Sequence, residues 1–349
     1  MLDAPGDIRA DERFDEARLA AHLREHLPEL IGPLQVQQFR GGHANLTYAL
    51  TIGDRELVLR RPPLGPVAPK AHDMAREYRA LHALNPLYAP APRVLHLCED
   101  TSVIGAVFFI MERRRGVVIR TEWPAEFPDD VESRRAVSFA LVDALADLHA
   151  VDVRRPEIAA LGKPEGFVQR QVTGWYERWQ RAKTRDMPLM DELAQKLLDR
   201  LPKSSDTGVL HNDWKLDNTM YAATDPHRIV AVFDWDMTTL GDPLVDFGTL
   251  LGYWGEQGDD VPRGTGSVIT MVAGFPSRDE LCQRYAQKSG RDLSGIAFYE
   301  TFALFKTAVV LEQIYVRFVR GQTKDERFGM LGPLVPRLAE AAAARGASL

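Results

Sequence analysis

The chain has 349 residues, 45% of them apolar and 26% charged, with 43 Lys+Arg against 49 Asp+Glu, a formal net charge of −6 and two cysteines. Such a chain is long enough to form two domains, or one large two-lobed unit, around a core that needs no disulfide or metal staple, and disorder of the whole is excluded. The mild acidic excess offers no field to phosphate backbones or anionic lipid, so neither nucleic acid nor a membrane surface is an expected partner.

The first residues, 1–12, are acidic and polar where a signal peptide would be basic and then apolar. The longest strongly apolar run, 103–111, is too short to span a bilayer, so a cytoplasmic protein is expected. A helical pattern covers 14–27 and ends at Pro28, Gly32 and Pro33. It carries His22 and His26 at a spacing that permits metal binding, but no third ligand is visible, and Cys98 and Cys282 stand apart from any CxxC or Cys/His cluster. Short β-type runs follow at 36–39, 46–52 and 56–60, the first two separated by Gly41-Gly42 and the last two by Gly53-Asp54. Met74, Tyr78, Leu81 and Leu84 mark the apolar face of a helix, and 103–112 reads as a buried strand. Beyond residue 113 the pattern turns mostly helical, with an apolar stripe through Phe139, Val142, Leu145, Leu148 and His149.

The chemistry is concentrated in residues 209–248. There His211-x-Asp213-x-Lys215-x-x-Asn218 is followed, sixteen residues after Asn218, by Asp234 at the end of an apolar β run. On such a loop Asp213 can be aimed at an acceptor hydroxyl, Lys215 at a phosphate and Asn218 at a metal ion. Asp234 then supplies the carboxylate that a Mg²⁺ on nucleotide phosphates requires, because Mg²⁺ takes few protein ligands and prefers oxygen.

At these residues the chain resembles the protein-kinase-like superfamily, and within it the aminoglycoside phosphotransferase and choline kinase branch. HNDWKLDN is similar to that branch's catalytic loop, and FDWD followed by GDP is similar to its metal-binding strand. The resemblance implies an α+β, two-lobed protein-kinase-like fold with the active site in the cleft between a β-rich lobe, 1–112, and a larger, mainly helical lobe, 113–349. It implies that Gly41, Gly42, His43, Ala44 and Asn45 fold over the phosphates of ATP. Arg60 stands where the family commonly has a strand lysine, with Arg61 as a rival, and Glu77 on the next helix is its partner. Met111, Glu112 and Arg113 form the hinge that meets adenine. Asp213 and Lys215 become the catalytic pair, and Asn218 and Asp234 hold Mg²⁺. Asp246 of the later Asp-Phe-Gly triplet reads as a structural residue at a helix start.

Residues 145–152, 162–179 and 183–188 resemble more narrowly the kinase-like domain fused to some acyl-CoA dehydrogenases and its free-standing bacterial relatives. The expected reaction is transfer of the γ-phosphoryl group of Mg²⁺·ATP to a hydroxyl of a small-molecule acceptor, a hydroxyacyl-CoA being the class these relatives imply. Two other readings stay open at this point: an aminoglycoside O-phosphotransferase, and a nucleotide-binding pseudokinase with a regulatory role. Arg278, Arg284, Lys288, Arg291, Lys306, Arg317 and Arg320 offset the acidic residues of the last third, which speaks against a polycationic drug as acceptor.

Overall fold

A computed structural model describes residues 4–39, 45–63, 73–203, 206–259, 263, 268–323 and 325–349. They form an α+β chain of two compact units: residues 1–118 with 219–238, and residues 119–218 with 239–349. The division falls later than the expected 112/113 boundary, and the segment carrying Asp234 returns to the first unit.

In the first unit helix α1 (Glu16–His26) is followed by strands β1 (Leu34–Gln38), β2 (Leu46–Ile52) and β3 (Arg55–Arg61), helix α2 (Met74–Leu84), and strands β4 (Val94–Cys98), β5 (Phe108–Glu112) and β6 (Val117–Val118). Strands β1 to β5 make an antiparallel sheet in the order β1-β2-β3-β5-β4. The turn between β2 and β3 needs glycine: Gly53 has φ +60°, and the carbonyl of Ile31 occupies the space a Cβ would fill. Asp15 and Asp73 cap α1 and α2 by accepting the backbone N–H groups of Arg18 and Arg76. Leu19 and Leu23 of α1 pack with Tyr48, Leu50, Leu59, Phe108 and Ile110 into the core on one face of the sheet.

Two strands differ from expectation. The run 103–112 enters the sheet only at Phe108, because residues 101–104 form a turn and Gly105 takes φ +81°. Strand β4, which the residue pattern did not reveal, forms the edge of the sheet beside β5.

The second unit opens with α3 (Val131–His149), α4 (Pro156–Ala159), α5 (Phe167–Ala182) and α6 (Pro188–Asp199), then β7 (Gly208–Leu210). The chain passes through β8 (Thr219–Ala222) and β9 (Asp225–Val232) of the first unit, where they form a small sheet with β6, and re-enters the second at β10 (Thr239–Gly241), which pairs with β7. Helices α7 (Leu244–Tyr253), α8 (Arg278–Ser289), α9 (Ile296–Val319), α10 (Glu326–Gly329) and α11 (Leu334–Arg345) complete it. The core of this unit joins Trp175 and Trp179 of α5, Met190 of α6, Phe302 and Phe305 of α9 and Leu338 of α11. Among the described residues no helix is long and apolar enough to cross a membrane.

Candidate active site

The loop after β7 begins at His211, and its shape is set by buried groups contributed from α7, α9 and α3. Asp246, fully buried in the first turn of α7, accepts the backbone N–H groups of His211 at 2.5 Å and Asn212 at 2.7 Å. The buried ammonium of Lys306 on α9 donates to the carbonyl of Asn212 at 2.9 Å. Asn212 is thereby held with φ +68°, a left-handed conformation that asparagine tolerates better than most residues. Trp214, also buried, donates its indole N–H to the carbonyl of Leu141 on α3 at 3.2 Å. His211 is buried edge-on against Trp214, and its Nδ1 accepts the N–H of Asp213 at 3.3 Å, so it orders the loop.

This scaffold presents Asp213, Lys215 and Asn218 together. Lys215 Nζ lies 2.7 Å from Asp213 Oδ2, and Asn218 Nδ2 donates to the same oxygen at 3.0 Å and to the Asp213 carbonyl at 2.8 Å. With its amide nitrogen so engaged, Asn218 turns its oxygen away from Asp213 as an acceptor. Burial alone would push the Asp213 carboxyl up, but Lys215, Lys306 and His211 outweigh it and hold the group below the usual aspartate value. It is an anion at neutral pH. Burial, and then the charge and hydrogen bond of Asp213, drive the Tyr253 phenol of α7 well above its ordinary range, and the Lys215 ammonium sits 5.4 Å from the Tyr253 ring. Asp217, next to Asn218, has one carboxylate oxygen buried without a hydrogen-bond partner, and burial raises its carboxyl.

The first unit brings together a second cluster. Arg60 of β3 is buried with Nε 3.3 Å from Glu77 on α2 and Nη2 3.1 Å from Asp234. Arg61, one residue on, points to the opposite face as strand alternation requires and donates to the carbonyl of Ile104 at 3.1 Å. Arg60 is therefore the residue that meets Glu77. Burial lifts the Glu77 carboxyl to about 7; Arg60 opposes this, while Asp234 and Asp236 add to it. One Glu77 oxygen is buried with no hydrogen-bond partner. Asp234 has φ +65°, and with Asn212 it completes the set of left-handed non-glycine residues among those described. Two residues past the end of β9 and at the N-cap of the turn 235–237, this left-handed aspartate marks a position where local strain is retained.

The remaining expected site residues are dispersed. Gly41, Gly42, His43 and Ala44 lie outside the described residues, and Asn45 is buried at the start of the segment leading into β2. Met111 pairs with Val58, two residues from Arg60 along β3 and on the same face of the sheet. The Glu112 N–H donates to the Arg93 carbonyl at 2.9 Å, and the Glu112 carboxylate lies 2.6 Å from Arg114. Arg113 reaches Glu56 at 3.2 Å and covers the ring of Phe39.

Lys306, Tyr253 and the anchoring role of Asp246 were not identified from the sequence; the available signal for Lys306 was a lone cation in the apolar run 302–311. The basic residues of the last third are in large part internal partners. Arg278 pairs with Glu256 and Asp259, Arg284 with Asp143, Lys288 with Asp147 and Arg291 with Asp206. Their number therefore carries little information on the charge of an acceptor.

Residues 35–280 match the family model described as the phosphotransferase enzyme family. The chain is 33% identical over 314 residues to acyl-CoA dehydrogenase family member 10 of Mus musculus, covering 89% of this chain and 29% of that protein. It is 32% identical over 353 residues to acyl-CoA dehydrogenase family member 11 of Gallus gallus, covering 97% and 45%. The chain thus spans less than half the length of these curated relatives. Among solved structures, one from Ralstonia eutropha JMP134, whose aminoglycoside phosphotransferase name is itself an inference, superposes with a TM-score of 0.81 at 32% identity, covering 96% of this chain and 99% of that one. Macrolide 2'-phosphotransferase type I gives 0.61 at 20% identity over 94% and 98% of the two chains, and shows that the fold is the kinase-like fold of these phosphotransferases.

Proposed function

The chain belongs to the phosphotransferase enzyme family, and from that premise we propose that it transfers the γ-phosphoryl group of Mg²⁺·ATP to a hydroxyl of a small-molecule acceptor of the hydroxyacyl-CoA class. The observation that carries the reading is Asp213, kept anionic by Lys215 and fixed by Asn218 on a loop anchored from α3, α7 and α9. Asp213 orients the acceptor hydroxyl and takes its proton as the new oxygen–phosphorus bond forms and the bond to the β-phosphate oxygen of ADP breaks. Lys215 exchanges its pairing with Asp213 for the transferring phosphoryl group, whose charge it offsets. Arg60, paired with Glu77 and Asp234, carries a planar fork that engages phosphate oxygens two at a time, where a lysine would act as a point charge.

The donor set suits magnesium. Asn218 offers a carbonyl oxygen and Asp234 a carboxylate, both hard ligands, and the negative charge of Asp234 and Asp236, only partly offset by Arg60, favours an incoming cation. Asn218 and Asp234 would hold the ion, which when bound neutralises charge on the phosphate oxygens. ATP use is supported by a fold-level neighbour solved with AMP-PNP and hygromycin B, the aminoglycoside phosphotransferase APH(4)-Ia. The acceptor class is supported by the acyl-CoA dehydrogenase names of the curated relatives.

The test is ADP release at fixed Mg²⁺ against a panel of hydroxyacyl-CoAs, aminoglycosides, choline-like alcohols and sugars, with Asp234→Ala as the blank. Turnover is expected with a hydroxyacyl-CoA and should fall by roughly 10²-fold or more in Asp213→Asn while ATP still binds. Turnover confined to aminoglycosides would replace the acceptor class, and unchanged turnover in Asp213→Asn would remove the catalytic assignment.

A further inference from the structure

Helix α1 and the edge strand β4 bring together residues that the sequence keeps 70 positions and more apart. His22 Nε2 lies 2.8 Å from His96 Nε2, and with the buried Cys98 thiol these donor atoms fall within 4.8 Å of one another. His96 and Cys98 stand two residues apart on β4 and so share the face turned to α1. The fold thus gives His22 two further donors that the sequence pattern around His22 and His26 does not show.

We infer that His22, His96 and Cys98 form a binding site for a borderline-soft divalent metal ion of the zinc class, clipping α1 to the edge of the sheet. Two imidazoles and a thiolate are the ligands that select such an ion over magnesium, which prefers oxygen. The donors lie near the spacing of a tetrahedral site, where metal–nitrogen bonds of about 2.0–2.1 Å and a metal–sulfur bond of about 2.3 Å separate neighbouring ligands by roughly 3–4 Å. A contraction of the widest separation completes it.

Two further observations favour a ligand role. The rings of His22, His26 and His96 form a cluster with centroids 4.1, 4.8 and 5.0 Å apart. Three imidazolium ions would repel one another at such distances, so neutral rings, the form that ligates metals, are favoured. His22 and His96 are half-buried rather than sealed in, which leaves an entry path and a fourth position for water. The site also has structural work to do. Only Leu19 and Leu23 of α1 are buried, so a metal bond between this helix and β4 would add to a modest apolar contact.

Binding proceeds with a defined proton balance. The Cys98 thiol loses its proton to solvent as the metal–sulfur bond forms. The hydrogen bond between the two Nε2 atoms is given up by moving one imidazole proton to its own Nδ1, with no net change. One proton is released per ion bound.

The experiment titrates the intact, metal-free protein with Co²⁺ and then Zn²⁺. At one equivalent, Co²⁺ should give a thiolate-to-metal charge-transfer band, which Zn²⁺ removes by displacement. Cys98→Ser should abolish the band, His22→Gln and His96→Gln should each weaken affinity by tenfold or more, and Cys282→Ser should leave it intact. X-ray absorption of the zinc-loaded wild type needs no variant and should show one sulfur and two imidazole nitrogens. An all-oxygen shell, absence of the band at one equivalent, or a band that survives Cys98→Ser would each overturn the site. ADP release at fixed Mg²⁺ is read separately, so failure here leaves the phosphotransfer reading standing.

Discussion

Glu77 in the first unit and Asp213 in the second are both carboxylates largely removed from water and both touch a cation, yet they are driven in opposite directions. Burial is the largest influence on each and would raise both. At Glu77 it prevails: the single cation, Arg60, is shared with Asp234, and Asp234 and Asp236 add negative charge, so the carboxyl rises to about 7. At Asp213 two ammonium groups, Lys215 and Lys306, overcome burial and the carboxyl falls. The local balance of charge, more than depth, therefore decides protonation. The difference suits the two proposed tasks, an anion-rich cluster awaiting a cation and a group kept ionised to orient a hydroxyl.

The comparison breaks most severely if Arg60 is removed. Arg60→Met leaves Glu77 and Asp234 without the guanidinium that joins them, and removing one partner of a buried pair costs about 3–5 kcal/mol. Urea unfolding should show that loss, with partial recovery in Arg60→Lys, which restores the charge without the fork. A change within experimental scatter would mean that the cluster is not coupled.

On the other side of the comparison, Lys306→Met removes both the bond to the Asn212 carbonyl and one of the cations that depress Asp213. Loop misplacement should lower turnover on the order of 10- to 10²-fold. The acid limb of the kcat–pH profile should also move upward, because Asp213 loses a neighbour that favours its ionised form. A packing defect alone would lower turnover without moving that limb.

Much of this was legible in the sequence where the chemistry is local. Asp213, Lys215 and Asn218 lie within six residues, so a loop motif reports them, whereas Arg60 and Glu77 follow from the family resemblance, which leaves Arg61 as a rival. What stayed hidden depends on distant partners. Lys306 and Asp246 meet the loop from 94 and 34 residues away, and nothing in their own surroundings announces it. Strand β4 is only five residues long, with little alternation, and is recognisable mainly through its pairing with β5. The glycine pair at 41–42 falls outside the described residues. Arg278, Arg284, Lys288 and Arg291 misled for a related reason: charge counted along the chain does not reveal which charges are already paired.

The most discriminating predicted effect lies in the pH dependence of stability, because it has opposite signs at the two carboxylates. Glu77 is raised from an ordinary value near 4.5 to about 7, so between those pH values the folded state holds a proton that the unfolded state has lost. Unfolding free energy must then fall as pH rises through that window. Glu77→Gln removes the slope, and its stability relative to wild type should increase between about pH 5 and about pH 7.5, read from urea midpoints at constant ionic strength. Asp213 is depressed, so its contribution is present above the ordinary aspartate value and is lost as the solution is acidified through the lower, folded-state value. Asp213→Asn should accordingly flatten only the acid side. If both variants altered the same side of the profile, burial alone would be governing both groups, and the neighbouring charges would not be the cause of the difference.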